Sequence, residues 1–223
     1  MPISEVYNVD CMEGMARYPD KFFDLAVCDP PYGIGEDGKK NHSRWGRGVP
    51  PTMYKPFIGG DKSAPDQSYF RELKRVSKNQ IIFGANHFIS RIPYADSSCW
   101  LVWDKKNGAS DFADCELAYT SFKTAVRIFR FRWNGFLQED MKNKEKRIHP
   151  TQKPVALYSW ILEKYAKPGD RILDTHLGSG SSRIAAYRAG LDFVGFELDK
   201  YYFNAQNERF EEETAQIGLS ELL

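Results

Sequence analysis

A chain of 223 residues with 42% apolar and 27% charged side chains is long enough to bury a full core and too apolar to stay disordered, so one globular domain is expected over residues 1–223. Its net charge of +1 excludes a uniformly basic polyanion binder, and no apolar run approaches the roughly 20 residues of a membrane-spanning helix. The opening residues, Met1-Pro-Ile-Ser-Glu5, lack a signal-peptide pattern, so a cytoplasmic protein is expected.

The charge is unevenly spread. Residues 123–153 hold nine Lys/Arg against three Asp/Glu, residues 38–62 six against one, and residues 197–223 two against seven. Such asymmetry can steer a polyanion to one face, and it can equally belong to plain solvated surfaces. None of the four cysteines, Cys11, Cys28, Cys99 and Cys115, sits in a C-x-x-C pair, so neither a metal site nor a disulfide scaffold is expected. Cys28 and Cys99 lie in apolar runs and read as small core residues.

In chain order, Phe22–Cys28 is a short apolar run that stops at Asp-Pro-Pro and reads as a buried strand. Residues 33–66 are rich in Gly, Pro and Lys/Arg without periodicity, the pattern of a long functional or mobile loop. Ser68–Val76 has helical spacing. Gln80–Phe83, Cys99–Trp103, Glu116–Thr120 and Ala125–Phe131 read as strands. Lys142–Arg147 is charged and expected to be mobile. Pro154–Ala166 reads as a helix opening at a proline. After the turn at Pro168-Gly169-Asp170 come a strand over Arg171–Asp174, a helix over Ser181–Ala189, a strand over Phe193–Phe196 and a last helix over Lys200–Thr214. Strands alternating with helices predict an α/β fold, a mostly parallel sheet with helices on both faces.

Two constellations carry chemistry. In Asp174-Thr-His-Leu-Gly178-Ser-Gly180 a strand runs into a helix through glycines that let a ligand approach the backbone, and the helix start offers free N–H groups. Glu197, one βα unit later, can take both hydroxyls of a ribose. Alone this also suits a nicotinamide dinucleotide, although the full G-x-G-x-x-G fingerprint is absent, or a bare glycine turn beside a surface carboxylate. In Asp29-Pro30-Pro31-Tyr32 each proline fixes its own φ and extends the residue before it. A carboxylate and a backbone carbonyl are then held rigid at the carboxyl edge of the sheet, where open α/β folds bind ligands, with an aromatic ring close behind. That set can accept two hydrogen bonds from an –NH2 group while the ring stacks on its heterocycle. The bland reading is a stiffened strand exit with a capping Asp.

Asp29-Pro-Pro-Tyr32 resembles the catalytic motif of DNA amino-methyltransferases. Asp174…Gly178-Ser-Gly180 resembles their S-adenosylmethionine motif, His149-Pro-Thr-Gln-Lys-Pro154 the cofactor motif before it, and Val9-Asp10-Cys11 a further cofactor contact. The catalytic motif comes first, which is the family's β class, a circular permutation of the usual Rossmann-like methyltransferase sheet. The resemblance spans roughly residues 6–35 and 68–210. Where the family has Asp-Pro-Phe this chain has Asp174-Thr175-His176, and His176 in the aromatic place reads as a packing residue. The chain is short, so only 33–66 and 130–148 are left to contact DNA and recognise a target.

The resemblance implies methyl transfer from S-adenosylmethionine to the N6 amine of adenine in DNA after base flipping. Asp29, Pro30, Pro31 and Tyr32 would be catalytic. Asp10, Cys11, Asp29, Thr151, Gln152, Lys153, Asp174, His176, Gly178, Ser179, Gly180, Glu197 and Leu198 would hold the cofactor, with Glu197 on the ribose, Asp10 at the adenine end and Lys153 at the carboxylate. Arg44, Trp45 and Arg47, with Arg127, Arg130, Arg132 and Trp133, would meet DNA. In a strand Arg130 and Arg132 point one way, Phe129 and Phe131 the other. The same chemistry on N4 of cytosine or on an RNA adenine stays open, as does a non-catalytic module that kept the fold. So do a homodimer and the role of restriction–modification partner, stand-alone regulator or phage self-protection.

Overall fold

The computed structural model describes residues 1–35, 54–58, 61–108, 113–134 and 136–220. Arg44, Trp45 and Arg47 lie outside the described residues. The strands are β1 (Ser4–Tyr7), β2 (Phe23–Cys28), β3 (Ser77–Phe83), β4 (Trp100–Asp104), β5 (Cys115–Thr120), β6 (Arg127–Arg130), a hairpin of β7 (Trp133–Asn134) and β8 (Leu137–Gln138), β9 (Arg171–Asp174) and β10 (Asp192–Phe196). The helices are α1 (Cys11–Met15), α2 (Gln67–Val76), α3 (Val155–Tyr165), α4 (Ser181–Arg188) and α5 (Lys200–Ser220). Eight strands form one sheet in the order β1-β10-β9-β2-β3-β5-β4-β6. Only β5 runs against its neighbours there; the other pairings are parallel. This is a Rossmann-like α/β sheet, with the N-terminal strands enclosing the C-terminal pair β9 and β10.

Parallel strands covered on both faces must be apolar on both faces, and they are. Leu25, Val27, Ile81, Phe83, Ile172 and Phe193 face the core under α3 and α4. Ala26, Cys28, Ile82, Leu173, Val194 and Phe196 face the core under α1 and α2. Asp66 starts α2 by accepting from the N–H groups of Ser68 and Tyr69, as an N-cap should. Cys28 and Cys99 are buried. No sequence pattern marks β1, a four-residue edge strand whose place comes from pairing with β10. Among the described residues no helix is long and apolar enough to cross a membrane.

Close packing carries position from α1 to the end of β10. A Cβ built on Gly14 would lie 2.7 Å from the ring of Phe196, which is 1% exposed and immediately precedes Glu197. Gly14→Ala must move that ring, and overpacking of this kind costs about 1–3 kcal/mol. A thermal melt of Gly14→Ala should show a loss of several degrees; an unchanged melt would mean the ring has room to move.

Candidate active site

The sheet brings the predicted residues to one edge. β2, β9 and β10 are parallel and sequential neighbours, so Asp29 after β2, Asp174 at the end of β9 and Glu197 after β10 emerge side by side. The end of β1 adds a fourth segment, where Asn8 Nδ2 donates to the carbonyls of Glu197 (2.8 Å) and Leu198 (3.0 Å). Asp10 caps α1 through the N–H of Met12 (2.8 Å).

At the glycine turn, Gly178 (φ 51°) and Gly180 (φ 74°) both take left-handed backbone, which costs glycine little. The Gly178 N–H donates to Glu197 Oε2 (2.7 Å), and Glu197 Oε1 accepts from Asp199 N (2.8 Å). Both carboxylate oxygens keep lone pairs for a diol. A Cβ on Gly178 would sit in ordinary contact with the His149 ring, at 3.8 Å. Asp174 accepts from His176 N (3.0 Å) and Ser182 Oγ (2.5 Å). Burial pushes its carboxyl up to about 7, and burial also raises Glu197. Among the described residues neither forms a salt bridge. Burial lowers His149 to about 3 and His176 to about 4, so both rings are neutral near pH 7. His176 packs edge-on against Tyr69 at 5.4 Å between centroids, and Thr175 Oγ1 bridges the Tyr69 hydroxyl (2.6 Å) and His176 Nδ1 (3.0 Å).

At Asp29-Pro-Pro-Tyr32, Asp29 Oδ1 accepts from the Tyr32 hydroxyl (2.6 Å) and Oδ2 from Lys153 Nζ (2.6 Å). Lys153 Nζ also reaches Glu116 Oε2 at 2.9 Å, and its side chain is only 4% exposed. Lys105 pairs with the other oxygen of Glu116. Burial pushes Asp29 up against the pull of Lys153. Burial alone would lower Lys153, but the two carboxylates raise it. Glu116 is likewise penalised by burial, yet Lys153 and Lys105 bring it down to about 2. The Tyr32 ring lies over Gly84, where a Cβ would come within 2.1 Å, and stacks on His87 at 5.2 Å and 15°.

Several sequence expectations change here. Lys153, expected at the cofactor carboxylate, is placed on Asp29 and Glu116. Gln152 spends its amide on its own loop, bonding Ile148 N (2.8 Å) and Lys146 O (3.2 Å). Thr151 is exposed, with its hydroxyl 3.1 Å from His149 Nδ1. Trp133, expected at DNA, is 6% exposed and donates its indole N–H to Gln152 O (2.7 Å), so it supports the loop instead. Ser179 is buried against Ser181. Cys11 is half-buried and Leu198 is 49% exposed. Arg130 and Arg132 are both exposed, while Phe129 and Phe131 stack together at 5.6 Å. Sequence reasoning missed Glu116 and Lys105; a carboxylate opening an apolar strand was the only sign of the first. Among the described residues no cluster of His, Cys, Asp and Glu could hold a metal ion.

A family model described as DNA methylase, of the N6/N4 amino type, matches residues 99–208. Over that stretch, just under half of its length, the chain is similar to the DNA amino-methyltransferase family. Its order, catalytic strand before cofactor strand, is that of the β class. It is 24% identical to the type II methyltransferase M.HinfI of Haemophilus influenzae, over 94% of this chain and 69% of that protein. Among solved structures it resembles M1.HpyAVI in complex with SAM, at 20% identity and a TM-score of 0.55 over 92% of this chain and 98% of the other. It also resembles the cytosine-N4-specific PvuII DNA methyltransferase, at 13% identity and 0.59 over 96% and 92%.

Asp174 gives a pH test. Its folded carboxyl titrates near 7, against about 3.9 when unfolded. The folded chain therefore gains stability by holding that proton below about pH 4 and loses the gain as pH rises to 7. Asp174→Asn has no such proton to lose, so its melting temperature relative to wild type should climb between pH 4 and 8. A constant difference would mean that Asp174 is ionised throughout.

Proposed function

We propose that this chain methylates the N6 amine of adenine in DNA, with S-adenosylmethionine as donor. The observation that carries the reading is the single sheet edge on which Glu197, Asp174, Asp29 and Glu116 follow one another across β10, β9, β2 and β5. Bound S-adenosylmethionine supplies the methyl group on a sulfonium, a strong electrophile. The residues present fit it. Asp174, buried, and Glu197, half-buried, are acceptors with no salt bridge among the described residues, beside two neutral histidines, as a positively charged ligand requires. The diol of its ribose suits the two oxygens of Glu197, and the lack of a side chain at Gly178 lets the ligand approach the backbone.

The target nitrogen is a poor nucleophile because its lone pair is delocalised into the ring. Asp29 and the Pro30 carbonyl would accept its two N–H groups, favour a pyramidal nitrogen and stabilise the positive charge that grows on it. Asp29 Oδ1 now holds the Tyr32 hydroxyl, so the incoming –NH2 takes that place. Asp29 would then receive the proton the methylated amine releases, a role suited to a carboxyl raised by burial. A base cannot be reached inside a duplex, so it is flipped out, and Tyr32 would stack on it. Stacking at about 1–3 kcal/mol per base offsets part of the flipping cost.

Asp29→Asn keeps size and loses charge. Single-turnover methylation should fall by about 10²–10³-fold with S-adenosylmethionine affinity unchanged, and near-normal turnover would sink the assignment. Nucleoside mass spectrometry of the product DNA separates N6-methyladenine from N4-methylcytosine. A chain that binds donor and transfers nothing to DNA or RNA would be a non-catalytic module.

DNA would lie along the same edge. β6 runs parallel to β4, so Arg130 leaves the sheet on the side of Asp29, exposed and only 3.5 Å from Asp104 in a loose pair. If Arg130 meets a phosphate, log K for DNA should fall against log salt by about 0.9 per contact, and Arg130→Ala should reduce that slope by roughly one. An affinity indifferent to salt would count against a DNA substrate.

A further inference from the structure

Four consecutive backbone N–H groups behind the catalytic motif all end on one residue. Asp61 Oδ1 accepts from Tyr32 N (2.6 Å) and Gly33 N (2.7 Å), and Oδ2 accepts from Ile34 N (3.1 Å). The Asp61 carbonyl accepts from Gly35 N (2.7 Å). Asp61 is 5% exposed. Pro30 and Pro31 carry no N–H, so Tyr32–Gly35 hold the first donors after Asp29. Successive N–H groups converge on one anion only where the backbone alternates into left-handed conformations. Gly33 (φ 78°) and Gly35 (φ 74°) provide them. A Cβ on Gly33 would also come within 2.9 Å of Ala64 N, three residues beyond Asp61, so the two segments are fitted closely.

We propose that Asp61 is a positioning residue for methyl transfer, resting on the methyltransferase reading above. It touches no reacting atom. It fixes Tyr32 at the backbone, while Asp29 holds the same residue at its hydroxyl (2.6 Å). Tyr32 is thereby tied at both ends, and the Asp29-Pro-Pro segment between the strand and this tether has no slack. Loss of the carboxylate would leave three N–H groups without their acceptor, and the loop would drift until each found another. A shift of about 1 Å in a catalytic group costs on the order of 10²-fold in rate. The long segment that begins at Gly33 therefore returns at Asp61 to the group that performs the chemistry.

The test uses the full chain. Asp61→Asn keeps the size but offers one acceptor oxygen, and its amide nitrogen cannot accept from Ile34. Hydrogen exchange at Tyr32–Gly35 is measured on the chain without donor. Single-turnover methylation of unmethylated mixed-sequence DNA, calorimetry with S-adenosylmethionine and thermal melting are run beside it. Asp66→Ala, which removes the cap of α2, controls for simple destabilisation. Asp61→Asn should raise exchange at these amides at least about tenfold and slow turnover by about 10²-fold. Its affinity for the donor should stay within about twofold. Asp66→Ala should lower the melting temperature and do neither. Wild-type exchange or wild-type turnover in Asp61→Asn would overturn the proposal, and so would equal turnover losses in the two variants at equal melting temperature. A wild-type chain that transfers no methyl is a different failure: it overturns the methyltransferase reading and the positioning role with it.

Discussion

The ammonium of Lys153 must satisfy Asp29 and Glu116 at once, at 2.6 and 2.9 Å, from a side chain only 4% exposed. Burial penalises each charge and the two carboxylates repel each other; Lys153 opposes this at Asp29, and Lys153 with Lys105 opposes it at Glu116. Removing one partner of a buried ionic group typically costs about 3–5 kcal/mol, so the triad fixes much around it. It ties the loop before α3 to the end of β2 and both to the start of β5. Lys105 holds the far side of Glu116, which leaves the Glu116 carboxylate flanked by cations and Asp29 with one oxygen turned to Tyr32.

The antiparallel β5 makes this triad possible. Every other strand of the large sheet presents its carboxyl end at the site, and β5 presents its amino end there. Glu116, its second residue, therefore stands opposite Trp103 in β4 and reaches across to the catalytic loop. A parallel strand in that place would have put Thr120 at the site and Glu116 at the far edge.

What could be read from the sequence was local. Asp29-Pro-Pro and the glycines at 178 and 180 announce their backbone shapes through φ restriction and φ freedom, whatever surrounds them. The strands that stand in the middle of the sheet were legible as apolar runs because both faces are buried. Glu116 and Lys105 were not legible, because only the β3–β5 register, Ile82 opposite Tyr119, brings β5 within one strand of β2. Lys153 was read together with its neighbours at 149–154, while its side chain crosses to Asp29 at the end of β2. Trp133 sat among arginines and looked like a surface aromatic, yet its indole satisfies the Gln152 carbonyl from inside. Such links depend on which distant strand lies alongside, and no periodicity encodes that.

The resting arrangement also bears on selectivity. Asp29 offers its Oδ1 to the Tyr32 hydroxyl until an amine replaces it, and a hydrogen bond to a charged group is worth about 1.5–3 kcal/mol net. Water or a small amine that entered would have to break that bond and gain only its own. A flipped base brings a second gain, because its ring can stack on Tyr32 for about 1–3 kcal/mol. For a ligand without an aromatic face the exchange only trades one bond for another, whereas a base would replace the bond and gain the stacking besides. The aromatic residue of the motif then has two duties on one side chain. Its hydroxyl keeps the acceptor occupied when no base is present, and its ring makes the acceptor available when one arrives.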